Sequence, residues 1–431
     1  MSPEIVGFIG VALLLVLIFA RMWVGLAMAI VGFFGIAYIA GFGVAFQTAG
    51  SAPFVFIFRY SLTVLPMFVL MGNIIAVTGI GTDLYNALNK WVGQARGGLA
   101  MATTGACALL GAITGANTAA LITMSKIALP EMRKYGYDEP LATGCIACGS
   151  TLAYLIPPSV AFILYGIVTE VSIGKLFIAG ILPGILLSAL LMGAIYVVTK
   201  FRPQAGPAGI KSSFKEKIVS LKGVAATVVL FLIVLGGIYR GVFTPTEGGA
   251  VGAGGAIFIA IVMRRLNVKD FRDSLVDTGL MTAMVLILMM GVSIFMRFMA
   301  ISKVPFLLTA VIGQLTVPPV VIFLAIVLLY VILGMFTDVI ASVLLTIPIL
   351  FPVITALGFD PIWFGVQVVM LIMLGEITPP VGMSVYLLSA FSGVPVGTIF
   401  RGVWPFCVAI IICVVLITVF PQIALLLPAA M

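Results

Sequence analysis

The sequence predicts an all-α polytopic membrane protein made of two inverted repeats, each with a re-entrant helical hairpin and a broken transmembrane helix. Three observations carry this prediction. First, 63% of the 431 residues are hydrophobic and 8% are charged, whereas soluble domains carry about 25% charged residues. Second, turn-forming residues recur at one spacing in the two halves of the chain. Third, two apolar stretches each carry a Pro-Pro pair near the middle.

Composition sets the solvent and excludes several classes of protein. Mean hydropathy is +1.32, and a soluble fold could not bury that much apolar surface, so we expect the chain to lie in a lipid bilayer. The formal net charge is +8, and there is no His. We attribute the positive charge to cytoplasmic loops rather than to a nucleic-acid partner. The sequence has no nucleotide-binding loop, nucleophile triad or metal-ligand cluster, so we expect no enzyme activity.

The internal repeat becomes visible when the sequence is shifted against itself. A shift of 222 residues places Pro130 on Pro352 and the pair Pro157-Pro158 on Pro379-Pro380. Glycine and aspartate positions between these prolines coincide as well. The predicted organisation is therefore a first repeat at 1–200, a polar cytoplasmic linker at 201–222 and a second repeat at 223–431.

Each repeat is expected to contain three spans, a hairpin, a broken span and a last span. In the first repeat these elements lie at about 5–20, 24–46, 62–80, 97–130, 139–168 and 180–199. In the second repeat they lie at about 223–239, 246–263, 276–297, 314–352, 361–391 and 403–428. Without the hairpins each repeat crosses the membrane an odd number of times, so the repeats are inverted. Placing the linker in the cytoplasm puts most of the 22 Lys and Arg on that side and both termini in the periplasm.

The two broken spans are the predicted transport site. Proline lacks a backbone donor and collides with the preceding turn, so Pro379-Pro380 in the stretch LGEITPPVG interrupts its helix. The partner stretch GSTLAYLIPPS, Gly149 to Ser159, is interrupted at the matching place. Backbone groups freed in lipid are costly unless protein, water or an ion satisfies them. Paired interruptions in inverted repeats therefore indicate a transport site, and a pair of purely structural kinks stays as the alternative.

A candidate hairpin tip precedes each broken span. The tips read GAITGANTA, Gly111 to Ala119, and GMFTDVIAS, Gly334 to Ser342. Hydroxyl, amide, carboxylate and carbonyl oxygens are hard ligands that suit Na⁺. The half-helix that starts beside each break directs its positive dipole end at an anion. The same region thus offers ligands for a cation and a site for an anion.

Only two acidic residues, Asp338 and Glu376, are predicted at membrane depth, both in the second repeat. Charged residues at that depth are costly and suggest function. Asp338 is the best candidate cation ligand. For Glu376 three interpretations stay open: an ion ligand, a carboxyl group kept protonated by desolvation, or the partner of a distant Arg. The first repeat has Ala116 and Tyr154 at the corresponding positions, so the two tips cannot be chemically equivalent.

Several motifs together resemble the large membrane subunit of tripartite ATP-independent periplasmic (TRAP) transporters, within the ion transporter superfamily. The motifs are Pro66-Met-Phe-Val-Leu-Met-Gly72, Gly149-Ser-Thr-Leu with Ile156-Pro-Pro-Ser159, Leu176-Phe with Gly180 and Pro183-Gly184, Thr244-Pro-Thr-Glu247, and Thr378-Pro-Pro-Val-Gly382. The resemblance implies an elevator-type importer, with a scaffold and a mobile transport core, that takes up a carboxylate such as a C4-dicarboxylate or sialic acid with Na⁺. It also implies a small four-helix membrane subunit, a periplasmic substrate-binding protein and a place in the bacterial inner membrane.

The resemblance also implies specific ligands and two or more sodium ions, with no organic cofactor. The first sodium site would be formed by Gly115, Asn117, Ser150, Thr151 and Tyr154. The second would be formed by Gly334, Thr337, Asp338, Gly375 and Thr378. Substrate would contact Asn117, Thr118, Pro157, Pro158, Ser159, Pro379 and Pro380. Glu376 is not part of the family motif.

Two other functions stay open from the sequence. One is a stand-alone sodium- or proton-coupled anion transporter of the same superfamily. The other is a channel or a membrane scaffold without transport activity. By contrast, Thr244-Pro-Thr-Glu247 has the spacing of a capping box with Pro at the first helical position, and we interpret it as the start of a helix rather than as a ligand site.

Overall fold

The computed structural model describes residues 1–209, 212–314 and 317–431, which form α-helices joined by short turns and 3₁₀ segments, without a strand among them. The prediction of an all-α fold is confirmed for these residues. The helices are α1 (Pro3–Phe19), α2 (Val24–Ala40), α3 (Phe42–Ile57), α4 (Val64–Val77), α5 (Ile80–Val92), α6 (Gly98–Thr114), α7 (Asn117–Lys134), α8 (Glu139–Thr151), α9 (Val160–Thr169), α10 (Ile173–Phe201), α11 (Phe214–Tyr239), α12 (Pro245–Val262), α13 (Val268–Ser302), α14 (Val304–Gln314), α15 (Pro319–Phe336), α16 (Val339–Ala356), α17 (Pro361–Ile377), α18 (Met383–Ser392), α19 (Val396–Val419) and α20 (Gln422–Ala429).

The outer surface of the helical bundle is apolar. Among the described residues, eight helical segments are long and apolar enough to cross a membrane. Large apolar side chains on several of these and neighbouring helices are more than half exposed, among them Phe34, Phe46, Leu232, Phe258 and Leu324. Exposing apolar surface to water is unfavourable, whereas contact with lipid or with another membrane-embedded chain carries no such cost. This surface therefore suits a membrane.

Glycines let helices from the two halves of the chain approach closely. A Cβ on Gly291 of α13 would fall on the backbone of Gly25 in α2, and a Cβ on Gly402 of α19 would fall on the backbone of Pro140 in α8. Close backbone approach through small residues is the usual way in which helices associate in a membrane. The two halves therefore interleave rather than pack as separate bodies.

The second helix of each hairpin packs against a half-helix from the other half of the chain. Helix α7 contacts α18, and helix α16 contacts α9. Within each half, the first helix of the hairpin packs against its own broken span, α6 against α8 and α15 against α17. This crossed arrangement brings both tips and both breaks to one place.

Several helix bounds differ from the predicted spans. The span predicted at 24–46 is wrong, because α2 ends at Ala40 and a separate helix, α3, begins at Phe42. Gly41 lies between them with a φ of +90°, which suits only glycine. The span predicted at 403–428 is likewise divided, into α19 and α20. Helices α5 and α14 were not predicted, and part of the hairpin predicted at 314–352 falls on residues 315 and 316, which lie outside the described residues.

The predicted linker at 201–222 is partly structured. Its first residue ends α10, and α11 already begins at Phe214. Residues 205–209, which we call the strap, hydrogen-bond to the base of the first hairpin: Gly97 N donates to Gly206 O, and Gly209 N donates to Gly93 O. The hydroxyl of Tyr137 donates to Pro207 O at 2.9 Å and accepts from Leu99 N at 3.1 Å. The strap therefore holds the N-terminal end of α6 in place.

The interpretation of Thr244-Pro-Thr-Glu247 as a helix start is confirmed. The Thr244 side chain accepts from Glu247 N, and the Glu247 side chain accepts from Thr244 N at 2.8 Å, which together form a capping box at the start of α12.

Candidate functional site

Two tight turns form the hairpin tips. In the first tip Gly115 joins α6 to α7 with a φ of +64°, and a Cβ there would meet Pro158 O at 2.8 Å. The tip thus lies directly on the first break. In the second tip Thr337 and Asp338 join α15 to α16. Just before it, Gly334 lies so close to α17 that a Cβ would meet Ile372 O at 2.7 Å.

Both broken spans have the expected interruption. In the first, α8 passes through a 3₁₀ turn at Leu152–Tyr154 and the chain is non-helical until α9 begins at Val160. In the second, α17 ends at Ile377 and α18 begins at Met383. The Pro-Pro pairs fall inside the interruptions, where their missing backbone donors cost least.

Four helix N-termini surround one cavity of about 200 Å³. The wall includes the first residues of α7, α9, α16 and α18 together with Tyr154 from the first break. Helix α9 is capped by Ser159, which accepts from Phe162 N at 3.3 Å, and α16 is capped by Asp338, which accepts from Ala341 N at 3.1 Å. Among the described residues, no side chain caps α7 or α18. Their first backbone N–H groups therefore remain available to an anion.

Glu376 is buried, at 1% exposed, and joins three helices at this cavity. Its Oε2 accepts from Asn117 Nδ2 of α7 at 3.1 Å and from Ser384 Oγ of α18 at 3.0 Å. Its Oε1 accepts from Val339 N at the start of α16, at 3.2 Å. Among the described residues it forms no ion pair, so the interpretation of Glu376 as the partner of an Arg is wrong.

Of the two polar atoms in the Asn117 side chain, Nδ2 is hydrogen-bonded to described residues and Oδ1 is not. Its Nδ2 donates to Glu376 Oε2 and to Ser384 Oγ, the latter at 2.8 Å. Exchanging the amide atoms would direct the carbonyl at the carboxylate, so this orientation is the one that the contacts require. The opposite atom, Asn117 Oδ1, is buried and accepts no hydrogen bond from the described residues. A buried acceptor without a donor is costly, and a water molecule, a cation or the donor group of a ligand would satisfy it.

The residues of the first predicted sodium site are only partly brought together at the cavity. Gly115, Asn117 and Tyr154 line the cavity. Ser150 and Thr151 lie in the last turn of α8, buried behind it, and their hydroxyls donate to Ala147 O and Cys148 O. Because a donating hydroxyl keeps its oxygen lone pairs, both remain able to coordinate a cation.

Of the residues of the second predicted sodium site, Asp338 lines the cavity and the other four do not. A Cβ on Gly375 would lie 2.7 Å from Gly334 Cα, so these two backbones touch. Thr337 Oγ1 lies 2.5 Å from Ser342 Oγ, and Thr378 Oγ1 donates to Leu374 O. The described residues contain no group of three or more His, Cys, Asp or Glu that could hold a metal, so hydroxyl and carbonyl oxygens must supply most ligands for a cation.

The predicted substrate residues have different positions. Asn117 and Thr118 line the cavity. Ser159 is fully buried, and its hydroxyl donates to Tyr154 O besides capping α9. Pro157 borders a different, apolar cavity of about 780 Å³ between α6 and α10. Among the described residues around the 200 Å³ cavity there is neither a Pro-Pro residue nor a Lys or Arg.

Ser384 and three methionines of the cavity wall were not predicted from the sequence. Ser384 connects Asn117 to Glu376 and lies near the start of the half-helix that follows the second break. Its position just after the break is the only sequence signal that could have indicated it. Met281 and Met284 of α13 and Met383 of α18 supply the apolar part of the wall, and nothing in their apolar surroundings distinguishes them from lipid-facing residues.

The cavity is therefore bipolar. Uncapped N-termini of α7 and α18 give it a positive pole. Two carboxylates, Asp338 and Glu376, and the unpartnered Asn117 Oδ1 give it a negative pole. Because Asn117, Glu376 and Ser384 are buried, the poles act more strongly on a small ligand than they would in solution.

Comparison with known proteins gives one family and one fold. The family model described as "Tripartite ATP-independent periplasmic transporter, DctM component" matches residues 11–423. The chain is 34% identical over 371 residues to the C4-dicarboxylate TRAP transporter large permease protein of Pseudomonas aeruginosa, with 86% of each chain covered. It is 34% identical to the sialic acid TRAP large permease of Vibrio cholerae, over 99% of this chain and 98% of that one. It is 33% identical to the ectoine TRAP large permease of Halomonas elongata, over 85% and 86%.

Two solved structures share the fold. The YdaH transporter of Alcanivorax borkumensis superposes with a TM-score of 0.64 at 17% identity, over 90% of this chain and 88% of that one. MtrF of Neisseria gonorrhoeae superposes with a TM-score of 0.60 at 13% identity, over 90% and 85%. At these identities the likeness concerns the fold alone.

Proposed function

The chain belongs to the DctM component family of tripartite ATP-independent periplasmic transporters, and from this we propose that it is a sodium-coupled importer of an organic acid. It is the large membrane subunit of a transporter and not an enzyme. The observation that carries the proposal is the cavity where both hairpin tips, both breaks and two carboxylates meet. Uncapped helix N-termini suit a carboxylate, and the surrounding oxygens suit a hard cation.

Sodium would travel with the substrate. The ligands that support it are oxygen atoms behind and beside the cavity: the Ser150 and Thr151 hydroxyls near the first tip, and Thr337 and Asp338 at the second. Binding of Na⁺ would order the tips and so complete the anion pocket. This dependence couples uptake of the acid to the sodium gradient.

The movement would be of the elevator type. In this proposal the hairpins and broken spans of two inverted repeats form the transport core, and the other helices form the scaffold. Met281 and Met284 belong to α13, a scaffold helix, yet they line the same cavity as the tips. The cavity thus lies at the boundary between core and scaffold, where sliding of one against the other would expose it to alternate sides.

The partners follow from the family. Relatives are named as large permeases of TRAP transporters, and we propose a small four-helix membrane subunit and a periplasmic substrate-binding protein for this chain. The exposed apolar faces of the scaffold helices fit a membrane-embedded partner. We place the protein in the bacterial inner membrane with both termini in the periplasm, which labelling of a Ser2→Cys variant in intact cells tests.

Similarity to the relatives does not identify a single substrate for this chain. They are named for C4-dicarboxylate, sialic acid and ectoine at nearly equal identity. We therefore propose a carboxylate, without choosing among these from similarity.

The test is uptake into proteoliposomes under an inward sodium gradient. The complex is reconstituted with its small subunit and binding protein, and an Asp338→Asn variant is compared with Asp273→Asn, which changes an exposed carboxylate of α13 far along the chain from the tips. We expect Asp338→Asn to abolish sodium-driven uptake and Asp273→Asn to retain it. Full activity of Asp338→Asn would refute its role as a cation ligand.

The same assay separates the alternatives. Sodium- or proton-driven uptake by the chain alone, without small subunit or binding protein, would indicate a stand-alone transporter. Current without coupling to sodium would indicate a channel, and absence of both uptake and current would indicate a scaffold.

A further inference from the structure

We infer that the substrate is a small zwitterion, with one carboxylate and one cationic N–H donor, rather than a dicarboxylate. The inference rests on the proposed function and specifies the substrate class of the same cavity. It is carried by the bipolar wall: acceptor oxygens without donors on one side, and helix N-termini without caps on the other.

The negative pole has acceptor oxygens to spare, although the Tyr154 hydroxyl also lies at this wall. Asn117 Oδ1 accepts no hydrogen bond from the described residues, and Asn117 is 3% exposed. Beside it, Glu376 Oε1 accepts from Val339 N, and a carboxylate oxygen has room for a second donor. In this proposal Asp338, which caps α16, serves sodium, and Asn117 and Glu376, which were also candidate cation ligands, serve the substrate. An ammonium or amidinium group would satisfy both Asn117 Oδ1 and Glu376 with charge-assisted hydrogen bonds.

The positive pole suits one carboxylate. Helices α7 and α18, with 18 and 10 residues, both start at the cavity wall, and no side chain in the described part of the chain caps either one. The other two N-termini, of α9 and α16, are already capped by Ser159 and Asp338. No Lys or Arg among the described residues borders the cavity to receive a second carboxylate. All three partners of Glu376 donate to it, which favours its ionised form. A dicarboxylate would then place its second charge against Glu376, where like charges repel.

The cavity also limits size. Its volume of about 200 Å³ corresponds to roughly seven water molecules at about 30 Å³ each. That volume accommodates a short-chain amino acid, but it is small beside the usual ligand pocket of about 300–1,000 Å³. Met281, Met284 and Met383 line the cavity between the poles and suit a short methylene chain.

Two series of compounds that differ only at one end test the inference. The first is 4-aminobutyrate, pentanoate and glutarate, and the second is β-alanine, butyrate and succinate. Within each series the carboxylate and the methylene chain are constant, while the far end is a cation, a methyl group or an anion. The readout is the ligand-induced shift in thermal unfolding of the purified full chain, with any membrane subunit that co-purifies, in saturating Na⁺. The intrinsic fluorescence of the four Trp reports unfolding.

We expect the amino compound of at least one series to bind about tenfold more tightly than its methyl and dicarboxylate counterparts, since a hydrogen bond to a charged group contributes at least that factor. In Glu376→Gln this preference should fall about tenfold while the weak binding of pentanoate is unchanged. Asp273→Asn is the matched control and should bind like the wild type. If Glu376→Gln does not fold, the order of affinities in the wild-type protein decides alone.

Tighter binding of succinate or glutarate, equal binding of the methyl compounds, or no shift with either amino compound would overturn the inference. These outcomes leave the proposed function intact if sodium-driven uptake of an acid is observed in proteoliposomes. Conversely, a preference for the amino compounds without any sodium-driven uptake would contradict the proposed function and not the chemistry of the cavity.

Discussion

Replacing Gly375 by alanine is expected to separate the second hairpin from its broken span. A Cβ at this position would lie 2.6 Å from Val331 O and 2.7 Å from Gly334 Cα, both backbone atoms of α15. Ordinary contact begins at 3.4 Å, so α15 must move away from α17 by about 0.8 Å. No side-chain rotation can relieve the overlap, because the atoms that collide belong to the backbone.

The magnitude follows from two opposing effects. Overpacking of this kind costs about 1–3 kcal/mol, and alanine in place of glycine within a helix recovers about 0.5–1 kcal/mol. We expect a net loss of about 1–2 kcal/mol in the free energy of unfolding. The shift also carries the tip that holds Thr337 and Asp338 away from the cavity, and displacements near 1 Å cost about a hundredfold in comparable sites. We therefore expect sodium-driven uptake to fall at least tenfold.

Gly254→Ala is the matched control. Gly254 also lies inside a helix, α12, but a Cβ there has nothing within 4 Å. It should leave uptake unchanged and raise the thermal midpoint slightly. Thermal unfolding in detergent and initial uptake rates in proteoliposomes are measured for both variants. If Gly375→Ala behaves like Gly254→Ala in both assays, the direct backbone contact between α15 and α17 does not exist in the working protein.

Three further substitutions address other parts of the structure. Tyr137→Phe removes two hydrogen bonds that hold the strap and the first hairpin, so hydrogen exchange in the strap should rise. Burial raises the pKa of Tyr137 to about 12 from 10.0, so between about pH 10 and pH 12 the folded form keeps a proton that the unfolded chain loses. Stability should therefore fall with rising pH over this range, and less steeply in Tyr137→Phe than in the wild type. Ser159→Ala removes the cap of α9 and should cost about 1 kcal/mol, whereas Ser159→Thr, which keeps an acceptor oxygen, should restore the thermal midpoint. Asn117→Asp places a second carboxylate against Glu376, across a contact of 3.1 Å, and should lower both the thermal midpoint and uptake; unchanged values for both would contradict the observed contact.

Local chemistry made part of the fold predictable. A Pro-Pro pair interrupts a helix wherever it falls, so the breaks before Val160 and Met383 follow from the sequence. The capping box at Thr244 is equally local and was found where expected. The division of the predicted span 24–46 at Gly41 was missed, because hydropathy is high on both sides of the turn and a single glycine is compatible with a continuous helix.

The site was predictable only in part. Both tips and both breaks were indicated by their composition, but Glu376 was left with three interpretations. Its contacts with Asn117, Ser384 and Val339 depend on how α7, α16 and α18 cross. Ser384 carried almost no signal of its own, since one hydroxyl near the start of a helix is common. Long-range packing, rather than residue type, made these side chains neighbours.

The sequence by itself determined the solvent of this protein and the places where its helices stop, because transfer of apolar side chains into lipid and the missing donor of proline act on each segment separately. Only the tertiary structure decided that four helix N-termini meet at one cavity and that Glu376 faces an asparagine 259 residues away. That arrangement depends on close backbone contacts between helices from both halves of the chain, and the pattern of any single segment does not contain them.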